Sequence, residues 1–290
     1  MEHPDDGSLR AEAEAVARFC AGKNIVVKYG GAAMADEARK EAVMREVALL
    51  SRLGVLITLV HGGGPEIDAA LKKTGKTPVF VDGLRHTDAE TMEIVRMVLA
   101  GKVNKGLVGL LSAAGCKAVG LCGADGAMLR VRKRRGAPDL GLVGEIEGVD
   151  AGLPALLLSR GFVPVVATIG ADDRGAPLNI NADTAAAALA GALRAEKLIL
   201  MTDVKGVLAA PDDEGSLLET LDTGAARDLI ARGVVRGGMI PKLLCCVAAV
   251  EEGGLREAAV IDGRAPRALL RALSSEGGGT RILRRGVATV

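Results

Sequence analysis

Short, almost unbroken apolar runs recur along this chain, each followed by a longer stretch whose apolar positions fall three and four residues apart. The short runs lie at 25–28, 55–60, 117–121, 162–166, 197–202 and 258–261. They are too brief for helices and too continuously apolar for strands with one wet face. They predict parallel strands buried on both sides, and the amphipathic stretches between them predict covering helices, so the expected fold class is α/β. Two places break the alternation. Segments 128–134 and 142–149 flank a Gly-Ala-Pro-Asp turn and predict a hairpin, and 171–181 carries a second turn at 172–175. Hairpins of this kind often form lids or edges in α/β enzymes.

Composition narrows the class of partner. A chain of 290 residues can bury a large core as one α/β domain or two coupled lobes. The formal charge of +1, from 37 basic and 36 acidic residues, with three Phe, one Tyr and no Trp, argues against a nucleic-acid surface and for a small-molecule partner. Cys20, Cys116, Cys122, Cys245 and Cys246 form no Cys-x-x-Cys pair and read as small core hydrophobes in a reducing compartment. The acidic, polar start MEHPDDGSLR lacks the pattern of a signal peptide, and the longest apolar run, 185–193, is about half a membrane span. A soluble, cytoplasmic protein without a membrane partner is expected.

Ligands of open parallel sheets gather beyond the carboxyl ends of the strands, and three of those ends carry unusual residues here. Lys28 is followed by Gly30 and Gly31; the second run leads into His61-Gly62-Gly63-Gly64-Pro65; the fifth leads into Asp203-Val204-Lys205-Gly206. Pro65 suits a first helical turn, which places the amides of 62–64 at a helix N-terminus, where free N–H groups and the dipole attract an anion. A glycine cluster serves equally as a tight strand-to-helix connection. Lys242 falls in the first turn of a helix predicted over 239–252, opposed to the dipole unless an anion sits there. Asn179-Ile180-Asn181-Ala182-Asp183 precedes an alanine-rich helix at 184–193 and offers two amides and a carboxylate, or simply an N-cap. Neither a Gly-Lys-Ser/Thr phosphate loop nor a dinucleotide fingerprint is present.

In this order the stretches VVKYGG, LVHGGGPEI, FVDGLR, TMEIVRMVLAGKVNK, FVPVVATIG, NINADTAA, LILMTDVKGV, GGMIPK and EGGGTRI resemble the amino acid kinase family over nearly the whole chain. Within it they resemble the members that phosphorylate N-acetyl-L-glutamate with ATP in arginine biosynthesis. The resemblance implies an open three-layer αβα sandwich with a mainly parallel central sheet. It divides the chain into an extra helix within 1–22, an acyl-amino-acid lobe at 23–175 and an ATP lobe at 176–290.

The same resemblance implies that Lys28 and Lys242 stabilise the transferring phosphoryl group, that Asp183 orients both, and that amides around Gly30, Gly31 and Gly63 bind its oxygens. Gly63 and Gly64 would hold the reacting carboxylate, and Arg85 with Asn179 the α-carboxylate, supported by Asn181. ATP would lie along Asp203, Val204, Lys205, Gly206, Val207 and Leu208, and against Val234, Val235 and Arg236, with Mg²⁺ carried on its phosphates rather than in a protein cage.

L-arginine is an implied effector at Lys197, Glu276, Gly278 and Gly279, with a dimeric or hexameric ring and a nitrogen-regulatory PII-type protein as implied partners. The extra helix is predicted over 8–21, with Leu9, Ala13, Val16 and Cys20 on one face. Arg267 stands where relatives commonly have histidine. His61 is expected to orient the glycine turn, His86 to pack, and 130–135 to form a solvated hairpin face. A same-fold kinase for acetylaminoadipate, aspartate or carbamate, or a non-catalytic metabolite-sensing subunit, are the alternatives.

Overall fold

The structure, a computed structural model, describes residues 6–34, 36–210, 212–274 and 277–286. In chain order α1 (Asp6–Cys20), β1 (Asn24–Tyr29), α2 (Glu37–Arg52), β2 (Leu56–His61) and α3 (Gly64–Lys73) come first. The short strands β3 (Phe80–Val81) and β4 (Leu84–Arg85) follow. Next, α4 (Ala89–Arg96) passes through a π-helical turn (Met97–Val103) into α5 (Asn104–Ala113). Then come β5 (Ala118–Cys122), β6 (Leu129–Lys133), β7 (Gly144–Val149), α6 (Gly152–Ser159), β8 (Val163–Ala167), β9 (Ile169–Ala171) and β10 (Pro177–Asn179). The remainder is α7 (Ala182–Ala192), β11 (Lys197–Thr202), β12 (Thr220–Asp222), α8 (Thr223–Ala231), α9 (Met239–Glu251), β13 (Glu257–Asp262), α10 (Ala268–Leu273) and β14 (Thr280–Leu283).

Among the described residues, eight strands form the main sheet in the order β12-β14-β13-β11-β1-β2-β8-β5. The six apolar runs are its parallel strands, each within a residue or two of the expected ends. At one edge β12 and its neighbour β14 run the other way and are additions to the expected set. The two hairpins form a separate sheet, β10-β9-β6-β7.

Strand alternation divides the apolar side chains between two cores. Ile25, Val27, Ile57 and Leu59 face α1–α5 and α10, whereas Val26, Val60, Leu198 and Leu200 face α6–α9. The result is three layers. On the hairpin, Leu129 and Val131 point inward while Arg130, Arg132 and Lys133 are exposed, which makes 130–135 the expected wet face. Cys20, Cys116 and Cys246 are buried, Cys122 and Cys245 partly so, and all five thiols are free.

Helix α1 lies on α2 and α10, burying Ala13, Val16 and Cys20 and part of Leu9. Arg267, at φ 55° just before α10, donates to Ser8 Oγ at 2.9 Å and to the Glu12 carboxylate, tying α1 down by its polar side. Beneath this contact Glu46 is buried and accepts the Leu270 N–H at 3.0 Å. Burial pushes its carboxyl up to about 7 against the opposing effect of the Leu270 and Leu269 amides. A folded-state value above the unfolded one stabilises below about pH 4.5, and that contribution is lost as pH rises through about 7. Glu46→Gln is therefore expected to match the parent near pH 4.5 and to exceed it above pH 7, by on the order of 3 kcal/mol at most. Thermal melts of both proteins across that range check it; a pH-independent difference would refute it.

Candidate active site

In the main sheet β1 has β2 on one side and β11 on the other, so chain connections leave in opposite directions from its carboxyl end. Such a switch point opens a crevice. Lys28, next to last in β1, points out of the sheet on the side of α7 and α9, the alternate side from Val27 and Tyr29. Asn181 caps α7 by accepting the N–H groups of Asp183 (2.9 Å) and Thr184 (3.1 Å). That cap sets Asp183 in the first turn, where a carboxylate is favoured by the helix dipole. Asp183 Oδ1 lies 2.9 Å from Lys28 Nζ, and its Oδ2 accepts from Lys242 Nζ at 2.8 Å. Burial raises the Asp183 pKa, but the charges of Lys28 and Lys242 outweigh it and hold the carboxyl below its ordinary value. The sequence-predicted trio is thus brought into contact, one carboxylate between two ammonium groups.

On one side of this trio is a cleft of about 220 Å³ lined by Lys28, Gly30, Gly31, Gly63, Gly64, Arg85, Asn179 and Asn181, among others. Gly31, at φ 68°, bends the chain sharply after β1. Gly63 is the N-cap of α3, with Pro65 in the first turn, so the leading amides of α3 have no intrahelical acceptors. Arg85 is buried and held on three sides: Nη1 is 2.6 Å from Asp68 Oδ1, Nη2 donates to the Gly64 carbonyl at 3.3 Å, and the Phe80 ring centre is 4.6 Å from Cζ. Asn179 Nδ2 donates to Thr87 Oγ1, whose hydroxyl donates to the Arg85 carbonyl.

On the other side a cavity of about 340 Å³ is lined by Asp203, Val204, Lys205, Gly206, Val207, Leu208, Val234, Val235 and Arg236. Glu214, Met239 and Arg264 complete it. Met239 opens the helix that carries Lys242 one turn later, so α9 links this cavity to the trio.

Asp68, Thr87, Glu214 and Arg264 were not singled out from sequence. Of these only Arg264 had a signal, standing two residues past β13 at the carboxyl edge. The expected packing role of His86 is overturned. Arg85 takes the inward position at the end of β4, which turns His86 out to solvent. His61 is buried, its Nδ1–H donating to the Gly62 carbonyl at 2.9 Å, and burial pushes its pKa down to about 4.

At the implied effector site, Gly278 and Gly279 line a cavity of about 250 Å³ with Asp262, Arg271 and Lys205, which also lines the larger one. Lys197 lies at the far end of its strand, paired with the buried Glu257 at 3.2 Å, and does not line that cavity. Glu276 lies outside the described residues. Among the described residues no cluster of three His, Cys, Asp or Glu side chains is placed to hold a metal, and no helix is long and apolar enough to cross a membrane.

Comparison with known proteins supplies the family. The acetylglutamate kinase of Thermosynechococcus vestitus is 49% identical over 258 residues, covering 89% of this chain and 87% of its own. That of Symbiobacterium thermophilum is 47% identical over 288 residues, covering 97% and 98%. The crystal structure of N-acetylglutamate synthase from Neisseria gonorrhoeae, complexed with coenzyme A and N-acetyl-glutamate, superposes at a TM-score of 0.83 and 26% identity; the match covers 97% of this chain and 64% of that longer one. The Giardia carbamate kinase shares the fold at 17% identity and a TM-score of 0.68, over 91% and 99% of the two chains. Residues 23–262 match the amino acid kinase family itself, and with relatives this similar along almost the whole length, the chain belongs to that family.

Proposed function

We propose that this enzyme transfers the γ-phosphoryl group of ATP to the side-chain carboxylate of N-acetyl-L-glutamate, a step of arginine biosynthesis. The observation that carries the proposal is Asp183 held between Lys28, which lines the glycine-rich cleft, and Lys242, on the helix whose first residue lines the second cavity. A carboxylate with a reference pKa of about 4.3 is already ionised at neutral pH, so no general base is needed. One carboxylate oxygen forms a bond to the γ-phosphorus as the bond from that phosphorus to the ADP oxygen breaks, and no proton moves. The obstacle is repulsion between anions, so the catalyst works by position and charge.

Lys28 reaches the transferring group from the acid side and Lys242 from the nucleotide side, with Asp183 setting the distance between them. Amides around Gly30, Gly31 and Gly63 meet the oxygens in transit. Gly63 and Gly64 hold the reacting carboxylate, and Arg85, Asn179 and Asn181 the α-carboxylate. ATP occupies the cavity at Asp203–Leu208 and 234–236, with Mg²⁺ neutralising its phosphates when bound. On this reading 23–175 is the acyl-amino-acid lobe, 176–290 the ATP lobe, and 1–22 an appended helix.

We extend the proposal to a cytoplasmic, ring-forming oligomer inhibited by L-arginine, with a PII-type protein as a further partner. The exposed Phe19 on the docked helix α1 and the cavity at Gly278 and Gly279 support it. Arg267 is turned toward Glu12, which offsets the positive charge it would otherwise bring near a cationic effector. Acylphosphate formation, trapped with hydroxylamine and compared across acetylglutamate, acetylaminoadipate, aspartate and carbamate, tests the activity. Acetylglutamate is expected to be turned over fastest, and preference for another acid, or no ATP-dependent product at all, would overturn the assignment. Repeating the assay with millimolar arginine, beside light scattering of the chain with and without 1–21, tests the extension; unchanged rates and a dimer in both would end it.

A further inference from the structure

We infer that Asn104, delivered by the π-helical turn, is a positioning residue that acts through His61 to aim the Gly63 amide at the transferring group. The inference deepens the proposed phosphotransfer and rests on it. Along α4 the sheet-facing stripe falls on Met92, Val95 and Leu99, at spacings of three and four. It continues through Val103, Leu107 and Leu111, and Asn104 is buried beside it. The Asn104 N–H bonds the Leu99 carbonyl five residues back, the bond of a π turn, an irregularity that is frequent at functional sites. Its effect is to place an amide side chain, rather than the backbone of α5, beneath the carboxyl ends of three adjacent strands.

Asn104 is 1% exposed. Its Nδ2 lies 2.8 Å from the Val165 carbonyl of β8, 3.2 Å from the Leu121 carbonyl of β5 and 3.0 Å from His61 Nε2 at the end of β2. Its Oδ1 accepts from Lys105 Nζ at 3.1 Å. These partners fix which end of the amide is which, because carbonyls can only accept and an ammonium can only donate. His61 Nδ1 faces the Gly62 carbonyl, which can only accept, and Nε2 faces an amide nitrogen that can only donate, so the ring proton sits on Nδ1 and is donated to that carbonyl.

The consequence reaches the cleft through one peptide unit. In a planar trans peptide the C=O of Gly62 and the N–H of Gly63 point in opposite directions. His61 belongs to the face of β2 that carries Leu59, so drawing the Gly62 carbonyl to the ring turns the Gly63 N–H toward the face of Lys28 and Asp183. β5 is cut to fit: a Cβ added at Gly120 would lie 1.9 Å from Asn104 Oδ1 and 2.6 Å from Lys105 Nζ.

The test combines spectroscopy with kinetics on the full chain. With three histidines in the sequence, ¹⁵N-resolved NMR can assign the His61 tautomer. The Nδ1–H form is expected at pH 7, and finding Nε2–H in the parent protein overturns the inference whatever the variants do. Asn104→Leu and His61→Leu are each expected to lower kcat about tenfold or more, with the KM values for acid and ATP within about twofold. Because one acts through the other, the double variant should be no slower than the worse single one; effects that multiply, or a normal kcat in Asn104→Leu, would defeat the idea. If Asn104→Leu fails to fold, Gly120→Ala displaces the same amide from behind and is expected to lower kcat in the same way, and normal turnover there counts against the inference. A parent protein with no kinase activity would instead refute the proposed function.

Discussion

Replacing Lys28 or Lys242 by alanine is expected to lower kcat by about a hundredfold or more, while KM for either substrate changes little. Donors that meet charge developing in a transition state are each worth about 3 kcal/mol when removed, and a contact made mainly at that moment appears in kcat. Both ammonium groups are bound to the same carboxylate, which makes the two variants unequal in another respect. The Lys28 side chain is 8% exposed and that of Lys242 23%. Water can replace Lys242 beside Asp183 more readily than it can replace Lys28. The Lys28 variant should therefore lose more thermal stability, because it leaves Asp183 Oδ1 buried without its partner, although Lys242 still pairs the other oxygen. Rates measured at saturating substrates, well below each variant's melting temperature, separate the two effects. Near-normal turnover in both folded variants would falsify the assignment of these lysines.

What could be read from sequence was set by how locally each feature is encoded. The six parallel strands announce themselves because a strand buried on both faces must be apolar at every position, and glycine ends each of the first two cleanly. β12 and β14 escaped because Thr220–Asp222 has a single buried residue and Thr280–Leu283 is short and follows glycines; their pairing depends on where the sheet edge lies, which no local pattern carries. The site divides in the same way. Lys28, Lys242 and the glycine turns stand at element ends, where their chemistry is conspicuous. Asp68 and Asn104 sit inside helices, and their meaning comes from Arg85 and His61, 17 and 43 residues away in sequence, brought near by the sheet order. Single polar residues in a helix look alike until the partner is known. The type of residue at His86 says nothing of the alternation after Arg85 that turns it outward.

Arg85→Lys is expected to weaken acetylglutamate binding by about ten- to a hundredfold despite preserving the charge. The guanidinium is already held by Asp68, the Gly64 carbonyl and the face of Phe80, an arrangement that orients a planar group. A substrate carboxylate arriving in the cleft meets a pre-aimed fork, so little entropy is lost on forming two parallel bonds. A lysine ammonium is shorter in reach, cannot stack flat on Phe80, and would be drawn to Asp68 as a point charge. Each charge-assisted hydrogen bond lost is worth roughly 1.5–3 kcal/mol. ATP affinity should be unaltered, since none of the residues lining the nucleotide cavity touches Arg85 in the structure. Calorimetric titration of the variant with each substrate gives the result directly. Unchanged affinity for acetylglutamate would place its α-carboxylate away from Arg85, whereas equal losses for both substrates would mean that the substitution had disturbed the fold rather than the contact.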